Sequence, residues 1–402
     1  GYKGDRITAV TQEIIPAIPN VNLARQQAEK LLNSPVLFET TTESGETLQW
    51  TLDPTTVAGL VEVVKRVNDE GKTQVVVEPI AEKFRPHLEE FAQFVYRAPV
   101  DASLDFSELT GQVIVPQESQ DGLAVDLESA DAQIAGLSEA PTNVINLPAI
   151  VTPPTVSSSD VDKLGIKELV SESTSYFSGS STGRMHNIEL SASKFQNVVI
   201  PPGGIFSFNE HLGEVSAAEG YDESLIIFGD RTTVGIGGGV CQVSTTVFRA
   251  AFFGGFEIVE RWAHGYRVRW YETNSAPGLD ATIYTPSVDF KFRNDLDSYI
   301  LIKTETDLQA GTLTFKVYGT PSNREVIVSE PVKSRPIKPE PPLFEEDPSL
   351  PKGTIEQVDW ANDGLEVTVT RIVKEDDQIL HSDEIISRYR PWRAVYKVGT
   401  GS

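Results

Sequence analysis

The chain has one cysteine, Cys241, and it stands in GIGGGVCQVSTTVFRAAFFGG, residues 235–255. Gly237, Gly238 and Gly239 precede it by a single valine, and the apolar run after it reads as a helix closed by Gly254 and Gly255. A helix start presents unpaired N–H groups and a partial positive charge, which together favour a thiolate over a thiol. Because glycines carry no side chains, a substrate backbone is expected to approach the sulfur past Gly238 and Gly239. The N–H groups around Cys241, including that of Gln242, are candidate oxyanion donors.

Two further residues extend this chemistry. FEIVERW, 256–262, reads as a strand followed closely by His264, and GLDATIY reads as a strand carrying Asp280. The order is helix-Cys, strand-His, strand-Asp, in which His264 acts as base and Asp280 holds its tautomer. This order resembles that of papain-like and transglutaminase-like cysteine enzymes. The residues alone leave a second reading level with it, in which Cys241 is a small buried apolar side chain. GIGGG as a phosphate cradle lacks both the GK[ST] ending and the GxGxxG spacing. Zinc at His186, His211 or His264 has no HxxxH or CxxC pairing behind it, so no metal and no cofactor is expected. Around the core candidates, Arg184 and Asn187 lead into an amphipathic helix read near 186–197, and Asn209 sits in PPGGIFSFNEHLG. Arg261 and Tyr266 flank His264. All five are candidates for binding substrate, as carboxylate ligands or groove walls, against ordinary roles as caps, surface residues and strand residues.

These residues need elements to hold them. At 402 residues the chain is long enough for two to four domains with real cores. A net charge of -24 argues against nucleic acid and anionic lipid as partners, since both would be repelled. The sequence has no apolar run of the roughly 18 residues that would read as a membrane span. It begins at Gly1 without a signal-peptide pattern, which suits removal of an export or anchor segment, and membrane contact is expected only through such a segment, absent from this chain. One cysteine allows no internal disulfide.

The expected class is α+β and multidomain. Residues 1–21 are an N-terminal extension, and 22–151 an α+β domain for binding or spacing. Within it, 22–35 has helical spacing, 36–52 reads as a hairpin turning at Ser44-Gly45, and Asp53 caps a helix that starts at Pro54 and continues to about Val67. A central papain/transglutaminase-like α+β domain occupies 160–325. Seven prolines in 331–351 make 331–352 a stiff extended spacer. Alternating segments in 353–400 form a small all-β module.

RMHNI within R-x-x-N-I (184–188), PPGGIFSFNEHLG, GGGVCQVSTT, ERWAHGYRV and GLDATIY resemble, in matching order, the VanW domain of bacterial surface proteins. The block 22–151 resembles the peptidoglycan-binding domain that usually precedes it, and 353–400 more loosely resembles the glycine-named G5 module that often follows. The resemblance implies an extracellular, cell-envelope protein whose partners are peptidoglycan stem peptides. It further implies L,D-transpeptidation with the motif cysteine, here Cys241, as nucleophile. The alternative of another class is a silent peptidoglycan-binding scaffold in which Cys241 is structural.

Overall fold

The computed structural model describes residues 21–228 and 231–401; the expected extension at 1–21 lies outside them except for Val21. The chain is mixed α+β, built from small sheets and helices that divide into two compact units.

In the first unit, helix Asn22–Leu32 turns Ala24, Gln27 and Leu31 inward. Strands Val36–Thr41 and Thr47–Leu52 pair as the expected antiparallel hairpin, with Val144–Asn146 added in parallel on its other side. Asp53 caps the next helix, its Oδ1 accepting from the Thr55 and Thr56 amides at 2.8 and 3.0 Å. That helix ends at Gly59 rather than continuing: Val61–Val67 is a strand paired with Thr73–Pro79. Valines at 61, 63, 64 and 67 favour the pleated surface over a helix, and Gly59 provides the break. Helix Ala81–Val95, which the sequence reading passed over, lays Phe84, Leu88, Phe91 and Val95 into the core at helical spacing.

The second unit holds the rest, including hairpin Ser103–Ser107/Gln112–Gln117 from within the span read as the first domain. Phe106 stacks on Tyr318 at 4.4 Å and Asp105 pairs with Lys303 at 2.7 Å, which explains that grouping. A four-stranded antiparallel sheet runs in the order Glu168–Tyr176, Thr312–Gly319, Ile300–Asp307, Val198–Ile200. Helix Val240–Phe253 packs on it and is buried from Gln242 to Phe252. A second sheet, Ile205–Ser207, Lys291–Arg293 and Glu257–Glu260, joins it around interlocked rings of Phe195, Phe206, Phe208, Phe248, Phe290 and Phe292. The helix read near 186–197 begins earlier, at Thr182, because the Ser181 hydroxyl caps it by accepting from the Arg184 amide.

The C-terminal part is all β, but its apolar face is not separate from this core. Leu365, Val367, Val369 and Tyr389 lie in the same cluster as the phenylalanines. Strands Leu365–Glu375 and Gln378–Tyr389 pair with each other, and the first also pairs with Arg324–Val328. The proline-rich stretch is extended, yet it is more than a spacer: Leu343–Pro351 is an edge strand parallel to Val395–Gly401. An edge position leaves one side of the strand unpaired, so the missing proline N–H groups cost few ladder bonds.

Phe206 is fully buried among four other aromatic rings. Phe206→Ala is expected to destabilise this unit by about 3–5 kcal/mol. Urea unfolding followed by tryptophan fluorescence checks this, and a loss below about 1 kcal/mol would contradict the packing described.

Candidate functional site

Cys241 is the second residue of helix Val240–Phe253 and is half-buried. Its Sγ lies 3.5 Å from Thr282 Oγ1 and 3.8 Å from the Ile283 carbonyl. His264 comes four residues after strand Glu257–Glu260, in irregular chain. Its Nδ1 is 2.5 Å from Asp280 Oδ2, which also accepts from the His264 amide at 2.9 Å. Asp280 is a carboxylate held well below its ordinary range: burial opposes this, but His264, Arg261 and Tyr389 together prevail. The Nδ1 proton therefore points at Asp280. Nε2 is buried and makes no hydrogen bond of regular geometry, while the ring and the Cys241 sulfur are near enough to shift each other's protonation.

Those shifts favour an ion pair. Burial alone would push the Cys241 thiol up, but the His264 ring, with the groups at Ile283 and Thr282, brings it below its usual value. Burial alone would push His264 down, but Asp280 and Cys241 bring it up to about 9. Tyr271 covers the imidazole edge-on, with centroids 5.4 Å apart.

Asp280 is not on a strand. Residues 279–283 lie in no helix or strand, and the carbonyls of Leu279, Asp280 and Ala281 are taken by side chains rather than by a neighbouring strand. Arg261 donates to the carbonyls of Gly278 and Asp280, and Arg249 to those of Leu279 and Tyr271. Ser244 and Thr245, one turn beyond Cys241 on the same helix, both donate to the Ala281 carbonyl, and Thr245 also accepts from the Ala281 amide. The CQVSTT motif thus carries Cys241 and also holds the segment bearing Asp280 and Thr282. Arg249 is buried and was missed by the sequence reading; its signal was a lone charge inside an otherwise apolar helix.

The glycines have a different purpose from the expected one. A Cβ on Gly238 would lie 2.5 Å from the Leu225 carbonyl, and one on Gly239 2.9 Å from Ile188. A Cβ on Gly237 would meet Val215 at 2.3 Å. They make room for this protein's own chain, not for a substrate backbone. Gly239 has φ 118°, in the range that favours glycine. Gln242 is likewise no oxyanion donor, since its amide already donates to the Gly239 carbonyl at 2.9 Å. Its side chain is spent on Ser175, the Tyr176 carbonyl and Arg184. The amides of Gly238, Gly239 and Cys241 have no acceptor among the described residues.

The five binding candidates separate. Arg184 is half-buried, donates to Ser180 and Gln242, and lies 5.9 Å from the Trp270 ring. Among the described residues no carboxylate pairs with it. Asn187 is fully buried and structural: it donates to the Asp222 and Gly238 carbonyls and so pins the glycine turn. Asn209 accepts from Thr285 and donates to the Val288 carbonyl, tying two loops together. Arg261 is buried and saturated by Asp280, Gly278 and Ser387, which leaves it nothing for a substrate. Tyr266 is buried against Trp392 with rings 4.2 Å apart and lines no groove. Among the described residues, no three His, Cys, Asp or Glu side chains gather as a metal site.

The chain is thus an α+β protein in which a thiol, an imidazole and a carboxylate meet at one helix start. A family model described as VanW like protein matches residues 183–318, which contain all three. The chain belongs to the VanW-like family. It is 32% identical over 241 residues to the uncharacterized protein YoaR of Bacillus subtilis (strain 168), covering 60% of this chain and 75% of that one. It is 31% identical over 116 residues to the vancomycin B-type resistance protein VanW of Enterococcus faecalis (strain ATCC 700802 / V583), covering 28% of this chain and 42% of that one. Two solved G5 domains also align. That of IgA1 protease covers 20% of this chain and 94% of its own at 20% identity and TM-score 0.14. That of HP0197 covers 19% and 100% at 16% identity and TM-score 0.11. Scores this low carry no argument about the C-terminal strands.

Iodoacetamide labels a single site in this chain, so thiol reactivity can be read cleanly. A lowered thiol is ionised above its folded pKa and protonates only as pH falls through it; the raised imidazolium persists until pH rises through about 9. Alkylation is expected to stay fast well below the ordinary thiol value of 9.0, and His264→Gln to move the profile up toward it. The same shifts bear on folding. His264 adds stability in full below its ordinary 6.5 and loses it as pH rises through about 9. Asp280 adds stability above its ordinary 3.8 and loses it as pH falls through its lower folded value. The Cys241 thiol contributes in the opposite sense to His264 over the upper range, so the urea midpoint is expected to fall chiefly on the acid side, below about pH 4, and Asp280→Asn to flatten that fall.

Proposed function

We propose that this protein is a cell-envelope acyl-transferase that acts on peptidoglycan stem peptides through the Cys241 thiolate. The observation that carries the reading is the Cys241, His264, Asp280 constellation, with Nδ1 committed to Asp280 and Nε2 left beside the sulfur. Its chain order is that of papain-like and transglutaminase-like enzymes, and this is the fold relationship we infer for the central domain. The VanW family supplies the substrate class, and one relative is described as a vancomycin B-type resistance protein. The domain divisions at 22–151, 160–325 and 353–400, with wall-binding and G5-like roles at the two ends, belong to the same proposal. No helix among the described residues is long and apolar enough to cross a membrane.

In the proposed reaction, the thiolate attacks a stem-peptide carbonyl and forms a C–S bond. Amides at the helix start, of which Gly239 and Cys241 are unengaged, receive the developing oxyanion. Imidazolium Nε2–H gives its proton to the nitrogen of the terminal D-amino acid as the C–N bond breaks, leaving a thioester. An amine of a second stem then attacks, His264 takes its proton, and the thiolate departs. Arg184, which pairs with no carboxylate among the described residues of a chain of net charge -24, is offered to a substrate carboxylate. Trp262, Trp270 and Tyr284 stand more than half exposed and offer aromatic surface to peptide or sugar.

Incubation with defined tetrapeptide muropeptides, read by mass, tests this. Wild type is expected to release the terminal D-amino acid and form crosslinked dimers, and Cys241→Ala or His264→Ala to lower the rate by about 10³-fold or more. Release without dimers would replace transfer by hydrolysis. Binding with no product would make Cys241 structural.

A further inference from the structure

Asp280 is held from a place the family match does not reach. Its Oδ2 serves His264, through both the ring and the amide. Its Oδ1 accepts from Arg261 Nη2 at 3.2 Å and from Tyr389 Oη at 2.5 Å. Tyr389 is the last residue of strand Gln378–Tyr389, far beyond residue 318 where the match ends. Two residues earlier on that strand, Ser387 accepts from Arg261 at 2.8 Å and donates to the Gly278 carbonyl at 2.7 Å. Just after it, the Arg390 amide donates to the Gly265 carbonyl at 2.9 Å and Trp392 packs on Tyr266. The end of this strand therefore touches both segments of the site, the one carrying His264 and the one carrying Asp280. Tyr389 is 6% exposed, and the cavity it shares with Arg249, Tyr271 and Asp280 measures about 10 Å³, room for roughly one water. So the carboxylate has no bulk solvent to take over from a lost donor.

We propose that the C-terminal sheet is part of the catalytic apparatus, with Tyr389 as the positioning residue that holds Asp280 in line with His264, assisted by Ser387 through Arg261. This rests on the Cys241 nucleophile proposed above. The strand then has a task besides any attachment to the wall. Without the Tyr389 hydroxyl, Oδ1 keeps only the longer Arg261 contact, and the carboxylate can rotate off the imidazole. Weaker support of the imidazolium in turn gives a less stable thiolate.

The test uses the full chain and the alkylation rate of Cys241 by iodoacetamide from pH 5 to 10. Tyr389→Phe keeps the ring and its packing and removes only the hydroxyl. It is expected to raise the apparent thiol pKa by about one unit, which is roughly tenfold slower alkylation at pH values below that of the wild-type thiol midpoint. The thermal midpoint shows whether the variant is folded. If Tyr389→Phe does not fold, Ser387→Ala carries the test, with a smaller shift in the same direction. An unchanged profile in the folded variant would overturn the positioning role. So would a downward shift, since loss of a donor with the geometry intact makes Asp280 a stronger partner for His264. A wild-type thiol that titrates at its ordinary value would instead overturn the nucleophile reading, and this inference with it. A lowered wild-type thiol with an unmoved Tyr389→Phe overturns this inference alone.

Discussion

The Asp280 carboxylate is the point on which the second unit turns. A buried carboxylate with an unmet oxygen costs several kcal/mol, so the fold has to deliver donors to both of its oxygens. They come from the segment after Glu257–Glu260, through His264 and Arg261, and from the C-terminal strand, through Tyr389. With those donors in place, the carboxylate stays ionised where solvent does not reach it. It then fixes the imidazole tautomer and supports its charge, and through that charge it acts on the thiol.

The helix bearing Cys241 serves that arrangement twice. Its first turn presents the sulfur, and the next two turns clasp the Asp280 segment with Ser244, Thr245 and Arg249. Buried hydroxyls and a buried guanidinium in a core helix would normally be a liability. Here each meets a carbonyl that has no strand partner, so two sets of otherwise unsatisfied groups cancel. The glycine turn belongs to the same construction. Strand Glu223–Phe228 and helix Thr182–Ser193 press on it so closely that only hydrogen fits at Gly238, and Asn187 ties it from beneath.

Several local structural features were legible in the chain. Cys241 at a helix start, His264 and Asp280 in order behind it, the Asp53 cap and the hairpin at Ser44-Gly45 all follow from local rules, and the structure has them. Local rules misled where a side chain's partners lie far off in sequence. Arg261 reads as a substrate ligand because a cation beside a histidine looks available, but its fork is filled by Gly278, Asp280 and Ser387. Asp280 reads as a strand residue because GLDATIY alternates, yet arginines and hydroxyls have taken its carbonyls.

The sequence by itself determined which side-chain types the chain offers and which short segments bend or coil, since helix starts, turns and apolar periodicity depend on neighbours within a few residues. Only the tertiary structure decided which polar groups remain free to act. Arg184 meets only neutral partners among the described residues while Arg261 is tied to Asp280, and the glycines face protein rather than solvent. It also brought Tyr389 to Asp280, a pairing across more than a hundred residues that no local pattern announces. The reason is desolvation: a buried charge must be met by whatever donors the fold brings there, and their distance along the chain has no bearing on the energy of the contact.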